Sequence, residues 1–362
     1  MTGSRALTQP RWKRAVEEFS AVNFAMVMAT GIVSIAAELL GWEAVGIILF
    51  WVNVTAFALF LVMMTARVAL FPRRVFSEMI DHMLGAGYFT AVAASCILGT
   101  QLIRLFGNYH LAMVLWIFGI VLWVGLTYTF FTALTVKEEK PLLNEGISGA
   151  WLVAVVATQS IAILSTLMAA HWPQPWRLMA NFLGLSMWLW GGMLYIWMIS
   201  LIFYRYTFFK FPPGDLTPPY WINMGAMAIS TLAGSLLIVN SGPEAPYLMS
   251  LRPFLEGFTV FYWATGTWWI PMLVLLGFWR YVYKGYPLQY DPLYWGAVFP
   301  LGMYTAATFQ MAHAMKLGFL LPLPRGFFFI ALGAWLMTFV GLCRSSLRSG
   351  GMALSAGGGR GV

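Results

Sequence analysis

The sequence predicts an all-α membrane protein of ten transmembrane helices, and three observations carry that reading: its composition, the spacing of its apolar runs and the placement of its basic residues. Of 362 residues, 60% are hydrophobic and only 9% charged, where a soluble domain averages about 25% charged. A water-soluble globule of this length has too much surface to hide such a composition. The solvent that suits it is lipid. The net charge of +8 does not point to a nucleic-acid partner, because the basic residues follow a membrane topology and form no patch on a soluble face.

A membrane helix needs about 20 mainly apolar residues to cross roughly 30 Å of hydrocarbon. On that ruler the spans fall near 20–40, 44–67, 83–103, 111–131, 149–169, 180–203, 220–240, 257–278, 293–315 and 326–342. Proline-rich punctuation separates several of them, as in Pro72-Arg73-Arg74, Pro173-Gln174-Pro175, Pro212-Pro213-Gly214 and Pro322-Leu323-Pro324. Residues 1–19 are polar and basic and read as a cytoplasmic leading segment, not a signal peptide. Residues 20–345 form one membrane domain, and the glycine-rich 346–362 are expected to be a flexible cytoplasmic tail.

Orientation follows from the excess of Lys and Arg on cytoplasmic loops. With both termini inside, sixteen of the 21 basic residues lie in inner segments and five, Arg104, Arg177, Arg252, Lys316 and Arg325, in outer ones. A miscount by one helix would scramble this asymmetry from that point on, so it supports the ten-span count as well as the orientation.

The spans also differ in kind. Those at odd positions hold 11 Phe, Trp and Tyr and those at even positions 28. Small residues allow close helix approach in lipid, and aromatic ones favour the lipid boundary. The pattern predicts five helical hairpins, with odd helices lining a central pore and even helices outside. An ordinary bundle in which small residues only aid packing is the alternative. Candidate lining residues are Thr30, Gly31, Thr90, Gln159 and Ser230 on the first four odd spans, and Pro300, Met303, Gln310 and His313 on the ninth.

Ionisable side chains inside a membrane are costly and usually functional, and here they are scarce. Glu38 and Glu256 fall at span ends, and no Asp lies in any span. His82, His110, His171 and His313 sit at span edges without metal-ligand spacing, and Cys96 and Cys343 both read as buried small hydrophobes. No acid pair, nucleophile–base set or phosphate loop can be assembled, so neither an enzyme nor a metal or other cofactor is expected. A path lined by small neutral groups remains. Pro271 and Pro300 are the prolines inside spans, and a proline kinks its helix and frees carbonyls. At about 100° per residue, Met303, Gln310 and His313 fall within about 40° of Phe299. That stripe is apolar at depth and polar towards one mouth.

Two segments carry a resemblance. Phe24-Ala25-Met26-Val27-Met28-Ala29-Thr30-Gly31-Ile32-Val33 and Trp295-Gly296-Ala297-Val298-Phe299-Pro300-Leu301-Gly302 resemble the tellurite-resistance/dicarboxylate transporter family. It includes TehA-type channels, malate and sulfite transporters, and plant slow anion channels. The resemblance implies a homotrimer whose protomers each enclose a pore within five hairpins, with Phe299 as the plug. It also implies the substrates: C4-dicarboxylates such as malate foremost, with tellurite, sulfite, chloride or nitrate as other anions. One departure is that Ala25 and Ala29 stand where TehA-type channels tend to carry glycine, which bears on pore diameter. The expected function is passage of a small anion across the cell membrane through a Phe-gated pore. A proton-coupled dicarboxylate or sulfite carrier, with His82 or His313 responding to protons, is the alternative. A membrane sensor or scaffold would need a cytoplasmic domain that the spans leave no room for.

Overall fold

With no water in hydrocarbon to satisfy backbone N–H and C=O groups, an apolar run must bond them internally, and here each run is a helix. The computed structural model describes residues 10–355. Its long helices are α1 (Phe24–Leu39), α2 (Glu43–Leu70), α3 (Phe89–Phe106), α4 (Tyr109–Val136), α5 (Val153–His171), α6 (Trp176–Phe208), α7 (Ile222–Asn240), α8 (Arg252–Phe278), α9 (Trp295–Ala314) and α10 (Pro322–Ser355). Among the described residues there is no strand, and nine helices are long and apolar enough to cross a membrane. The chain is an all-α, multi-pass membrane protein.

Helix α9 is not among those nine, although it is 20 residues long. Its sequence carries Pro300, Gln310 and His313. A helix this polar is tolerated at membrane depth when protein, not lipid, surrounds it, and α9 contacts α1, α7 and α10. The even helices run longer than expected: α6 has 33 residues where the sequence suggested 180–203. Helix α10 continues to Ser355, through part of the segment expected to be a flexible tail. The last residues of that tail, 356–362, and residues 1–9 of the leading segment lie outside the described residues. Within the leading segment Arg11–Glu18 is helical. Cys96 is buried as expected, but Cys343 is exposed, because it lies on the outward side of α10.

Contacts between consecutive odd helices run α1–α3, α3–α5, α5–α7, α7–α9 and α9–α1, and each odd helix also packs on the even helix that follows it, from α1–α2 to α9–α10. Burial follows this order. The apolar stretches of α5 and α7 are 94% buried, while those of α4, α8 and α10 are 22% buried.

A set of hydrogen bonds runs from each even helix to the next odd one. Asn53 Nδ2 of α2 donates to Gln101 Oε1 of α3 at 2.6 Å. Trp123 Nε1 of α4 donates to Thr158 Oγ1 of α5 at 2.8 Å, and Trp188 Nε1 of α6 to the Ser230 carbonyl of α7 at 2.8 Å. Trp263 of α8 donates to Thr308 Oγ1 of α9 at 3.0 Å, and Trp335 of α10 to Thr30 Oγ1 of α1 at 3.0 Å. A buried indole N–H needs an acceptor, and in lipid an interhelical hydrogen bond of this kind acts as glue. The aromatic excess of the even helices therefore divides between two duties. Trp197 and Trp268 are exposed as the lipid-boundary reading expects, whereas Trp188 is 0% exposed and turned inward.

Every odd helix is opened by a 3₁₀ turn: Ala21–Asn23, Gly85–Tyr88, Gly149–Leu152, Pro218–Trp221 and Pro292–Tyr294. Adjacent turns touch all the way round, the fifth meeting the first. Ser20, Ser148 and Asp291 cap three of them by accepting from the backbone N–H of Val22, Ala150 and Leu293. We call this ring the collar. It fixes all five odd helices with their N-termini at one end of the bundle.

Candidate functional site

Helix α9 carries the strongest candidate from the sequence, and its neighbours fix which way each residue turns. On one flank Pro300 meets α7: a Cβ added to Gly225 would lie 2.7 Å from Pro300 Cγ. On the other flank Gly302 meets α1, where a Cβ would lie 3.0 Å from Ile32 Cγ2 and 3.1 Å from Val33 Cγ2. Behind, the Tyr304 hydroxyl is 2.9 Å from Thr267 Oγ1 of α8, its ring lies tilted against Phe327 of α10 with centroids 4.8 Å apart, and Thr308 takes the indole N–H of Trp263. At about 100° per residue, Phe299, Met303, Ala306 and Gln310 fall between the two flanks and opposite Tyr304 and Thr308. They share the face of α9 that lies between α1 and α7, away from α8 and α10.

Along this face the environment changes with depth. Phe299 and Met303 are each 1% exposed. Gln310, two turns further on, is half-buried, and His313 is exposed with Nδ1 2.9 Å from the Phe309 carbonyl. A rigid aromatic ring with a methionine one turn above it makes a dry segment, and the polar groups lie on its far side.

The other expected lining residues are placed differently. Thr30 is held by Trp335 of α10. Gly31 lies against α2 and α3, since a Cβ there would meet Ile97, Asn53 and Gln101 within 3.2 Å. Thr90 donates to the Ala21 carbonyl at 2.7 Å, and Gln159 Nε2 to the Trp188 carbonyl of α6 at 3.0 Å. Ser230 Oγ donates to Ala226 O in its own helix at 2.7 Å. Pro300 abuts Gly225. The structure thus puts Phe299, Met303 and Gln310 on one face of α9, leaves His313 exposed at its end, and gives the others contacts or hydrogen bonds elsewhere. A buried hydroxyl or amide must find a partner: Thr30 and Gln159 find it on an even helix, Thr90 on the first turn, and Ser230 on its own helix.

Ala25, already marked in the sequence as bearing on pore diameter, and two residues that the sequence reading passed over lie on the remaining side of α1. With Thr30 turned to α10, Ser34 bonded to the Gly46 carbonyl of α2, Gly31 against α3 and Val33 against α9, the remaining sector holds Ala25, Met28 and Ile32, all buried. They are small or flexible and carry no polar atom. No signal in the sequence distinguishes them from core.

Outside the spans, His82 lies between α2 and α3 with its carbonyl accepting from Trp151 Nε1 at 2.8 Å. Burial lowers its pKa from the ordinary histidine value, and Lys137 and Lys140 lower it further against the opposing pull of Asp81. The ring is neutral at pH 7. Glu78, on the short helix Pro72–Met79, is raised by burial, but its bonds to Arg67, Tyr88 and Arg74 outweigh this and leave its pKa lowered. Glu38 is bonded to Arg104 at 2.7 Å, with both side chains about three-quarters buried at the end of α1.

Comparison with known proteins bears on this site. A family model described as SLAC1, voltage-dependent anion channel, matches residues 18–343. An uncharacterized transporter of Methanocaldococcus jannaschii is 22% identical over 331 residues, covering 90% of this chain and 94% of that protein. An uncharacterized membrane protein of Mycobacterium tuberculosis is 36% identical over 149 residues, covering 41% of this chain and 75% of the relative. A sulfite efflux pump of Arthroderma benhamiae is 25% identical over 365 residues and 93% of each chain.

Proposed function

The chain belongs to the SLAC1 family of voltage-dependent anion channels, and from that premise we propose that it is a passive path for small anions whose pore runs along the axis of the odd helices and is plugged by Phe299. The family is one of anion transport, not of enzymes. The observation that carries the gate is the position of Phe299: fully buried, on the one face of α9 that no outer helix covers. A ring of this size blocks a narrow axis through dispersion contacts and by keeping water out of the constriction.

C4-dicarboxylates such as malate are the leading substrate class; tellurite, sulfite, chloride and nitrate fit the same chemistry. The named inner-face residues carry no fixed charge, so selectivity among anions is weak and comes from dipoles and diffuse potential. All five odd helices begin at the collar, and the partial positive charge of each N-terminus adds to the field there. We place the collar and both termini on the cytoplasmic side, which the basic asymmetry favours, count α9 as a tenth crossing within the ring, and assign a homotrimer on the family resemblance. A coupled carrier is the second reading, because the relative in Arthroderma benhamiae is named a sulfite efflux pump. A neutral His82 outside the spans is a poor proton relay for it near pH 7.

The test is anion flux per correctly inserted protein in liposomes or planar bilayers. Phe299→Ala removes most of the plug and is expected to raise flux strongly; Phe299→Leu keeps much of the volume and raises it modestly. Phe309, whose ring lies 4.2 Å from that of His313, is the control. If Phe299 is only core, the alanine form loses about 3–5 kcal/mol of packing, and yield and flux fall together. Unit conductance steps favour the channel; saturable uptake driven by a pH gradient, without steps, favours the carrier.

A further inference from the structure

The collar has a construction that the gate does not require. Two of its five joints are bridged by an arginine at the collar end of an even helix, and a third arginine, Arg280, lies just past the end of α8 and holds the approach to the fourth turn. All three are buried, Arg67 at 2% exposed, Arg205 at 6% and Arg280 at 7%. Arg205 donates to the Ile147 carbonyl, just ahead of the third turn, at 2.6 Å, and to the Tyr220 hydroxyl, inside the fourth, at 2.5 Å, with Asp215 at 2.8 Å balancing its charge. Arg67 repeats this one hairpin pair earlier. It donates to the Glu17 carbonyl ahead of the first turn at 3.0 Å and to Tyr88 in the second at 3.3 Å, with Glu78 as its counter-ion. Arg280 donates to the Leu216 carbonyl ahead of the fourth turn, and its neighbour Tyr281 bonds Tyr294 of the fifth at 2.8 Å. A buried guanidinium with a carboxylate partner and a carbonyl acceptor, as at Arg67 and Arg205, is a stiff, directional tie.

The two joints that Arg67 and Arg205 bridge are also narrow. A Cβ on Gly149 would lie 2.7 Å from the Pro219 carbonyl oxygen and Tyr220 Cα, so the third and fourth turns touch backbone to backbone. A Cβ on Gly87 would lie 2.7 Å from Val22 Cγ2, so the second turn touches the first. Tightness and clamping coincide at these joints. A bundle that needed only to bury its helices would gain nothing from ordering the approach of its five first turns.

We propose that the collar is a second constriction of the permeation path, in series with Phe299, and that Arg67, Arg205 and Arg280 are positioning residues that set its bore. The inference rests on the axial pore proposed above. The Phe299 plug decides whether anions pass; the collar decides how large an anion reaches it. Its width is held by backbone turns and buried ion pairs, so it is rigid, and it selects by size.

The experiment uses the full chain in liposomes, with chloride and malate as the probes. On a Phe299→Ala background, Val22→Ala removes the side chain that fills the Gly87 joint and is expected to raise the malate-to-chloride flux ratio several-fold. Val22→Cys, with Cys96→Ala and Cys343→Ala, is expected to lose flux when a thiol reagent is added from the collar side. Tyr220→Phe and Tyr88→Phe each delete one hydroxyl partner of a clamp without touching its arginine. They are expected to raise the same ratio and to speed labelling of Val22→Cys, which a loss of stability alone would not do. If Phe299→Ala raises flux but neither the Val22 nor the tyrosine variants move the ratio, and modification at Val22 leaves flux intact, the collar proposal is overturned and the pore stands. If Phe299→Ala raises no flux, the pore reading fails and the collar proposal falls with it.

Discussion

Helices α7 and α8 are neighbours of similar apolar character, with mean hydropathies of 1.8 and 1.3 over their spanning stretches, yet one is 94% buried and the other 22%. Hydropathy does not separate them. Residue size does: α7 offers Gly225, Ala226, Ala228, Ser230, Ala233, Gly234 and Ser235, and α8 offers Phe258, Phe261, Trp263 and Trp268. A helix with protein on every side must let backbones approach, and small residues are what permit it. A helix with lipid on one side is free of that constraint, and its large side chains serve either as a lipid-facing surface or as donors reaching inward. The lesson is that position in the bundle is written in bulk, not in polarity.

The largest expected effect tests that rule with one methyl group. Gly225→Ala on α7 drives a Cβ to 2.7 Å from Pro300 Cγ, and overpacking of this kind costs about 1–3 kcal/mol. Gly257→Ala on α8 meets nothing within 4 Å and should be neutral or slightly stabilising, since alanine is the better helix former by up to about 1 kcal/mol. Thermal unfolding in detergent compares them, and equal losses at the two sites would break the distinction between inner and outer helices.

A second comparison lies within the outer helices. Trp188→Phe removes an inward indole that donates to the Ser230 carbonyl, with an expected loss of about 1 kcal/mol or somewhat more from the hydrogen bond and the vacated volume. Trp268, 55% exposed, should tolerate phenylalanine within about 0.5 kcal/mol. Similar unfolding midpoints for the two variants would show that the inward indoles are packing only.

The smallest effect is a pH dependence outside the spans. The His82 pKa is lowered in the folded state by burial and then by Lys137. A depressed histidine contributes stability that is present in full above its unfolded pKa of about 6.5 and lost as pH falls through the folded value. Unfolding midpoints should therefore drop slightly on acidification below about pH 6.5, and His82→Gln should flatten that slope. An unchanged slope would remove His82 from the acid response.

The two candidate sites were legible to different degrees. Phe299, Met303 and Gln310 stand out in sequence because they share one stripe beside a proline, and the neighbours of α9 set that stripe between α1 and α7. Thr30, Gly31, Gln159 and Ser230 also stand out, as polar and minimal residues in lipid, and the structure gives Thr30, Gly31 and Gln159 contacts with neighbouring helices and the Ser230 hydroxyl a bond within its own. The collar went unread, although each of its turns begins with Ala, Gly or Pro and has an aromatic residue two or three positions on, as in Pro218-Pro219-Tyr220-Trp221 and Pro292-Leu293-Tyr294-Trp295.

By itself the sequence determined that lipid is the solvent, where the chain crosses it, and which helices are crowded and which are not. These are local properties, set by the transfer energy of each segment and the bulk of its own side chains. The tertiary structure decided which neighbour each side of a helix meets, that the five first turns touch in a closed ring with buried arginines bridging two of its joints, and that five of the eleven tryptophans on the even helices donate to an odd helix. Those depend on the rotation of each helix about its own axis, and a helix has no preferred rotation until neighbours on every side take up its polar groups and close against its glycines.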